Sequence, residues 1–353
     1  MGTSTGRHTR LTLFTKYPVP DTAKTRLIPE LGAEAAAQLQ QRMTEHAALG
    51  LRRFVREHPA TNLCISYNGG SLHAMRRWLG MNLKFRQQHE GDLGTRISHA
   101  MNDAFHQGNQ YCVIIGADCP EIHRHHLDAA VANLRPDTVV MGPAVDGGYW
   151  LIGMGRQAYE DLEETIFRSS SIPWGTEHVY QLTRERVEQN GYSVYDLPPL
   201  SDVDEPEDLH IWKNIAAESP LFSPEAQTIS VIIPALNEQD RIRQSVRSAK
   251  QGLNTEIVVV DGGSTDRTVQ EAEAEHATVL VSAPGRGAQM NHGAAHSTGS
   301  ILLFLHADST LPIGFDTHVR EALRSERTQA GAFRLDIDSE RTSLRFLAWG
   351  TNI

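Results

Sequence analysis

Short aliphatic runs, each closing on a turn of small or polar residues, alternate along this chain with stretches where apolar residues recur every three or four positions. The first kind of segment reads as a strand buried on both faces, the second as an amphipathic helix lying against it. Leu11 to Thr15 begins the series. Ala36, Leu39, Met43, Ala47, Leu51 and Phe54 then form a helical stripe between about Ala33 and Arg56 that should face a sheet. Leu63 to Tyr67 is expected to be a second strand, stopped by Asn68-Gly69-Gly70, followed by a short helix near Leu72 to Leu79 and a strand near Leu83 to Gln87. Asp92 stands where it would cap the next helix. Further strands are expected at Val113 to Ile115, which ends in a small-residue turn within the stretch Tyr111 to Pro120, and at Thr138 to Met141, Trp150 to Gly153 and Ser193 to Leu197, with a helix from about Thr176 to Gln189.

The segment 218–227 holds two prolines and two serines and has little periodicity, so it reads as a linker. After it the pattern restarts. Ile229 to Ile233 is a buried strand, an amphipathic helix runs to about Lys250, and strands follow that end at Asp261, span Thr278 to Val281 and begin at Ile301. Strands alternating with helices predict an α/β protein with parallel sheets. The expected division is a disordered start at 1–10, one unit over 11–217 and a second over 228–353.

A length of 353 residues suits two domains, and 40% hydrophobic residues can build a core in each. Lys and Arg total 33 against 43 Asp and Glu, for a net charge of -10. This argues against a nucleic-acid polymer as partner but not against a small nucleotide, which needs only a local cluster of cations. The 3 cysteines, Cys64, Cys112 and Cys119, have no zinc-ligand or redox spacing. A polar N-terminus without a signal-peptide core, and no apolar run near the ~18 residues of a membrane span, lead to the expectation of a soluble, cytoplasmic protein.

Candidate chemistry gathers where strands end. Asp118 closes Tyr111 to Pro120, and His306 and Asp308 close Ile301 to Ser309. Open α/β sheets place ligands at the carboxyl ends of their strands. Two such stretches suggest two crevices, each suited to a divalent cation and a phosphate, although each Asp could instead serve only to cap a turn. Lys16, Lys24 and Arg26 stud a proline-stiffened loop directly after the first strand and are candidates to hold a polyphosphate. Asp146-Gly147-Gly148-Tyr149 offers paired glycines for close backbone approach to a ligand, or a plain hairpin turn. Asp202 and Asp204 are two apart and point the same way if extended, so with Asp118 they could form an all-oxygen Mg²⁺ site; Pro206, Glu207 and Asp208 equally suit a helix start. His123, His125 and His126 lack the i,i+4 spacing of ligand pairs and read as an exposed helix start. In the second unit Asn237, Glu238, Asp261, Asp266 and Arg286 sit in turns or Gly-rich loops, the last where a diphosphate could meet a helix N-terminus.

The ordered motifs KYPVPDTAKTRL, GDLGTR, GADCP, GPAVDGGYWLIG and SDVDEPEDL resemble a family of GT-A-like transferases. These are described as transferase 1 of the radical-SAM/selenodomain-associated pair and are related to 2-phospholactate guanylyltransferase and the molybdenum-cofactor nucleotidyltransferases. The resemblance covers about the first three-fifths of the chain. It implies that Lys24 and Arg26 hold phosphates, and that Asp118, Asp202 and Asp204 hold Mg²⁺ or Mn²⁺. Asp21 departs from the pattern, standing where the family usually has glycine, and a carboxylate there could repel phosphate.

The motifs IPALNE, VVDGGSTD, GRGAQMNHGA and LFLHADS resemble the inverting glycosyltransferases of family 2, and most closely transferase 2 of the same group. By that resemblance Glu238 and Asp261 contact the nucleoside, Arg286 lies near the nucleotide, and Asp308 holds the metal, with His306 in the first place of the usual DxD. The implied fold is two tandem GT-A-like (nucleotide-diphospho-sugar transferase, Rossmann-like) domains, the second incomplete. The implied general base falls beyond the DxD strand. Asp336 and Asp338 are poor candidates for it, and the chain is expected to continue past Ile353. The implied activity is metal-dependent glycosyl transfer from a nucleotide sugar to a small-molecule acceptor, in an arsenosugar-like or other small-metabolite pathway. The first unit is then a nucleotidyltransferase acting on a nucleoside triphosphate, or a silent nucleotide-binding regulator.

Overall fold

The computed structural model describes residues 8–168, 172–325, 327–334 and 336. The chain forms strand β1 (Thr9–Lys16), helices α1 (Ile28–Leu31) and α2 (Ala33–Glu57), β2 (Thr61–Asn68), α3 (Leu72–Leu79), β3 (Lys84–Gln87), α4 (Leu93–His106), β4 (Tyr111–Gly116) and α5 (Arg124–Ala132). It continues through β5 (Thr138–Pro143), β6 (Tyr149–Gly155), α6 (Arg156–Leu162), α7 (Val179–Gln189), β7 (Ser193–Asp196) and α8 (Leu209–Glu218). Then come β8 (Ile229–Ala235), α9 (Ile242–Lys250), β9 (Thr255–Asp261), α10 (Thr268–Ala274), β10 (Thr278–Val281), α11 (Arg286–Ala295), β11 (Ile301–Phe304) and α12 (Phe315–Leu323).

Two sheets result, as the alternating pattern requires. The first has 7 strands in the order β3-β2-β1-β4-β6-β5-β7, parallel except for β6, which runs antiparallel to both its neighbours. The second has 4 parallel strands in the order β10-β9-β8-β11. Its order repeats that of the first four strands of the first sheet. In each, the chain starts centrally, steps outward on one side, then crosses to the other side of its first strand. That reversal, between β1 and β4 and between β8 and β11, leaves a crevice at the strands' carboxyl ends.

The first sheet is buried by apolar side chains on both faces, while in the second Leu302 and Phe304 of β11 stay exposed on one face. Leu11, Leu13, Val113 and Ile115 pack with the stripe of α2 on one face of the first sheet, while Cys112, Ile114, Val139 and Ile152 pack with Ile97 and Met101 of α4 on the other. Val231, Ile233 and Val259 pack with Ile242 and Val246 of α9 in the second.

The expected disordered start is overturned at its end: Thr9 and Arg10 belong to β1, and Arg10 is buried because its guanidinium is satisfied by Asp103, Asn62 and Gln107. The strand expected over Ile229 to Ile233 runs on through Pro234, which is paired in register with Val260. Segment 218–227 is anchored rather than loose, since Leu221, Phe222 and Ala226 are buried and Phe222 packs on Trp212 and His46.

A buried polar seam joins the two halves. Glu45 of α2 accepts hydrogen bonds from Trp78 Nε1 (2.9 Å) and from Thr317 Oγ1 of α12 (2.7 Å). Arg42 reaches Asp316 at 3.0 Å, and Asp316 also holds Arg320 at 3.1 Å. Gly314 is glycine of necessity: its φ is +73°, and a Cβ there would fall 2.3 Å from Glu45 Oε1.

Candidate active sites at two strand-end crevices

β1 ends at Lys16 and β4 at Gly116, on neighbouring strands held in parallel register. Asp118 follows, its carboxylate folded back so that a Cβ on Gly116 would meet Asp118 Oδ1 at 2.5 Å. Residue 116 therefore has to be glycine for this carboxylate to sit where it does. The Asp118 carbonyl accepts a hydrogen bond from Val203 N at 3.0 Å, which draws the loop after β7 across the crevice.

That loop brings Asp202 to the same place. Burial first, then the Asp118 and Asp146 carboxylates, raise its carboxyl to about 6 against the opposing pull of Lys24. Burial and the same Asp118 and Asp202 carboxylates hold the Cys119 thiol well above its usual value, so it is an inert neutral group. Three carboxylates from three loops thus share one field, a costly arrangement that a divalent cation would relieve.

Among the described residues, no three His, Cys, Asp or Glu side chains converge closely enough to form a complete metal cage. The donor set still fits Mg²⁺ or Mn²⁺, which characteristically takes one or two carboxylates and completes its shell with water and substrate phosphate. Asp118 and Asp202 would be those two if a cation is held here.

Asp204, expected to join the oxygen ligands because it sits two residues from Asp202, meets the basic loop in this structure. Its carboxylate is engaged by Lys24 Nζ at 3.5 Å and Arg26 Nη1 at 2.9 Å, and Arg26 also reaches Glu205 at 3.2 Å. The basic loop is accordingly held by its own chain. Lys24 has a left-handed backbone (φ 45°) with its side chain almost wholly covered, while Arg26 stays largely exposed. Lys16 donates to the Thr22 carbonyl of the same loop. Asp21 has φ 62°, which gives the glycine of the resembled family a conformational reason: this is a left-handed position, which Asp tolerates.

Of the two alternatives for Asp146-Gly147-Gly148-Tyr149, the structure forms the hairpin turn, joining antiparallel β5 and β6. Gly147 has φ +89°, and a Cβ there would lie 2.0 Å from Glu177 O, so the backbone approaching it is this chain's own. Asp146 Oδ1 accepts from Gly148 N at 2.9 Å and remains exposed beside Asp202. The Tyr149 hydroxyl is buried, strongly resistant to ionisation because of that burial, and without a partner among the described residues. Its ring meets Trp174 edge-on at 6.3 Å. Tyr149 is therefore core beneath the turn. Gly94 of GDLGTR is likewise a packing glycine, since a Cβ would collide with Phe167 O and the Trp174 ring at 2.5 Å. Asp92 caps α4 as expected, accepting from Thr95 N at 2.8 Å. In the histidine run His123 and His125 are exposed, but His126 is buried against Trp150 and pushed down to about 4 by burial and its two histidine neighbours.

The second crevice is built from three interlocked loops. Asp261, at the end of β9, is buried and accepts from Gly263 N and Ser264 N, both at 3.0 Å. Asn237, with φ 55°, accepts from Thr265 N at 2.9 Å on its side-chain oxygen and donates its own N–H to Ser264 Oγ. Glu238 N donates to Thr268 Oγ1 at 2.7 Å, leaving its carboxylate partly open beside Arg241 at 3.4 Å. Arg286 opens α11 after Gly285 and is exposed. Past β11 the chain alternates: His306 and Asp308 are exposed while Ala307 is buried, its carbonyl fixed by Ser245 Oγ at 2.6 Å. Asp338 lies outside the described residues.

Gln289 went unnoticed in the sequence. Its buried amide donates to Ala235 O and Val260 O, both at 2.8 Å, tying α11 to the ends of β8 and β9. Its only signal was an i+3 position from Arg286 in a helix rich in glycine and alanine.

Comparison with known proteins adds to this geometry. Residues 51–176 match the family described as an uncharacterized protein conserved in bacteria (DUF2064), and residues 230–349 match glycosyl transferase family 2. A crystal structure from Desulfovibrio desulfuricans G20, provisionally assigned as a nucleotide-diphospho-sugar transferase, is 33% identical, with a TM-score of 0.53 over 60% of this chain and 88% of that one. Glucosyl-3-phosphoglycerate synthase of Mycolicibacterium smegmatis is 35% identical over 94 residues, 23% of this chain and 31% of the relative. The Mycobacterium tuberculosis enzyme of that name, crystallised with Mn²⁺, UDP and glucosyl-3-phosphoglycerate, is 30% identical over 26% of this chain and 40% of that one, with a TM-score of 0.24. The chain thus spans about a third of the length of the curated relatives it matches.

Proposed function

From a chain that belongs to the nucleotide-diphospho-sugar transferase family and carries a family 2 glycosyl transferase domain, we propose a metal-dependent transferase with two nucleotide sites. The division falls at residues 218–227. The second site transfers a sugar from a nucleotide-sugar donor to a small-molecule acceptor, and the first is a nucleotidyltransferase-type site for a nucleoside triphosphate. The observation that carries this reading is the repeated display of carboxylates at the chain-reversal point of each sheet, Asp118 with Asp202 in one and Asp308 in the other.

Departure of a nucleoside diphosphate leaves a multiply charged anion. Bound Mg²⁺ or Mn²⁺ would supply Lewis-acid stabilisation of that charge. Asp308 with His306 would hold the ion in the second site, and Asp118 with Asp202 in the first. Asp261 orders the loop that receives the nucleoside, Glu238 presents its open carboxylate there, and Arg286 meets the diphosphate at the start of α11. In the first site Lys24 and Arg26 are held in place by Asp204 until phosphate competes for them. No helix among the described residues is long and apolar enough to cross a membrane, and the reading is of a cytoplasmic enzyme.

The full chain should be incubated with Mn²⁺ and a panel of nucleotide sugars, and separately with nucleoside triphosphates and sugar phosphates while pyrophosphate is followed. Asp308→Asn should abolish nucleoside diphosphate release and spare pyrophosphate release; Asp118→Asn should do the reverse; chelation should stop both. Pyrophosphate release untouched by Asp118→Asn would remove the first assignment, and sugar transfer untouched by Asp308→Asn the second. Nucleotide affinity at the first site unchanged with or without Mg²⁺, and no product in any assay, favours the regulator instead.

A further inference from the structure

Away from both crevices, a cavity of about 70 Å³ opens between strands β1 to β3 and helix α4. By volume it could hold a few waters or one compact ion. Its charged lining is Arg10 from β1, Arg86 from β3, and Arg96, His99 and Asp103 from α4, with His89 on the loop between β3 and α4. Three arginines therefore face one carboxylate, in a chain whose net charge is -10. The local excess of positive charge opposes the composition of the whole protein.

Asp103 cannot neutralise this set. Its carboxylate lies 3.0 Å from Arg10 Nη1 and 3.4 Å from Arg86 Nε, so one acid is shared between two guanidiniums. Arg10 also donates from Nε to Asn62 and from Nη2 to Gln107. Arg86 Nη1 makes only a 3.3 Å bond to Phe85 O, and Arg96 is steered by its Nε, which donates to Gly91 O at 3.1 Å and Asp92 O at 3.3 Å. Among the described residues the Nη groups of Arg96 and the ring nitrogens of His89 and His99 meet no acceptor. The two histidine rings stack at 3.8 Å. Burial, His89 and Arg168 all make His99 harder to protonate. Cys64 on β2 is also in the lining, and burial keeps its thiol neutral.

Planar guanidiniums with free forks and two imidazoles around one small space suit a compact anion with several acceptor oxygens. We propose that this cavity is a phosphate-binding site, separate from the strand-end crevices and independent of metal. A phosphate dianion would take the free Nη donors of Arg96 and Arg86 and favour protonation of His89 and His99. The lining contains none of Asp118, Asp146 or Asp202, so no divalent cation is needed, and the inference stands whether or not the first crevice is catalytic.

Calorimetric titration of the full chain with orthophosphate, in the presence of a chelator, tests it. Saturable binding is expected. Arg86→Gln and Arg96→Gln should each weaken it about tenfold or more, in line with loss of a charge-assisted hydrogen bond. The Lys24→Gln/Arg26→Gln double variant, which removes the basic loop of the first crevice, should retain the binding component that is lost in Arg86→Gln and Arg96→Gln. Pyrophosphate run in parallel distinguishes a single phosphoryl group from a diphosphate. Histidine ring resonances give a readout that survives a misfolding variant: in wild type, phosphate should raise the titration midpoints of His89 and His99. Absence of saturable binding, or binding lost in the Lys24/Arg26 variant but unchanged in both arginine variants, overturns the proposal. So do unmoved midpoints for both histidines at saturating phosphate.

Discussion

Asp202→Asn is expected to stabilise the protein at neutral pH while abolishing whatever the first crevice does with a cation. The carboxyl stands at about 6 in the folded chain against an ordinary value of 3.8. A raised acid binds its proton more tightly folded than unfolded, so stability is highest below the ordinary value, falls as pH rises through the interval, and stays reduced above about 6. The full interval corresponds to ~3 kcal/mol. Asp202 is only partly buried and solvent screens it, so ~1–2 kcal/mol is the reasonable expectation. For a unit of this size that is a rise in melting midpoint of about 2–4 °C per kcal/mol. Melts should be run from pH 4 to 8 with and without Mg²⁺ or Mn²⁺. The variant should match wild type near pH 4, exceed it at pH 7.5, and lose the stabilisation that the cation gives wild type. If Asp202→Asn is the less stable protein at pH 7.5, or if metal stabilises both equally, the shared-carboxylate argument is wrong.

Gly116→Ala should leave the fold intact but displace the Asp118 carboxylate, which lies 2.5 Å from the added methyl; cation affinity measured by calorimetry is expected to fall about tenfold, a ~1.4 kcal/mol displacement. Gly147→Ala meets Glu177 O at 2.0 Å and requires a left-handed backbone, so a loss of ~3 kcal/mol or more is expected in urea unfolding. Tyr149→Phe removes a buried hydroxyl with no partner among the described residues and should be neutral or stabilising by ~1 kcal/mol in the same assay. Glu45→Ala strips the acceptor shared by Trp78 and Thr317 and leaves Arg42 with one buried partner fewer. A cost of ~3–5 kcal/mol is expected, seen as a lowered midpoint for the half containing α12.

The strands and the helices that cover them were legible because burying a sheet on both faces demands continuous aliphatic runs, and covering it demands a helical stripe. Leu11 to Thr15, the α2 stripe and Val113 to Ile115 carry those demands in their own spacing. Strand-end acids such as Asp118 and Asp308 were legible too, since a polar residue directly after a buried run has to emerge at the sheet's rim. Arg10 was not. A cation two residues inside a strand looks like a frayed start until Asp103 and Gln107, more than ninety positions away, arrive to satisfy it. Asp204 looked like a ligand until Lys24 and Arg26 came to it from the other end of the unit. Gly147 promised room for a ligand until Glu177 filled it.

The linear order of residues settled what short-range periodicity can encode: which segments are strands, which faces are apolar, and where acids leave the core. Which charge meets which, and which glycine is crowded by its own chain, depended on residues brought together across long separations. Pairing energies and steric collisions act at a few ångströms in space, and sequence spacing carries no measure of that distance once the chain has turned.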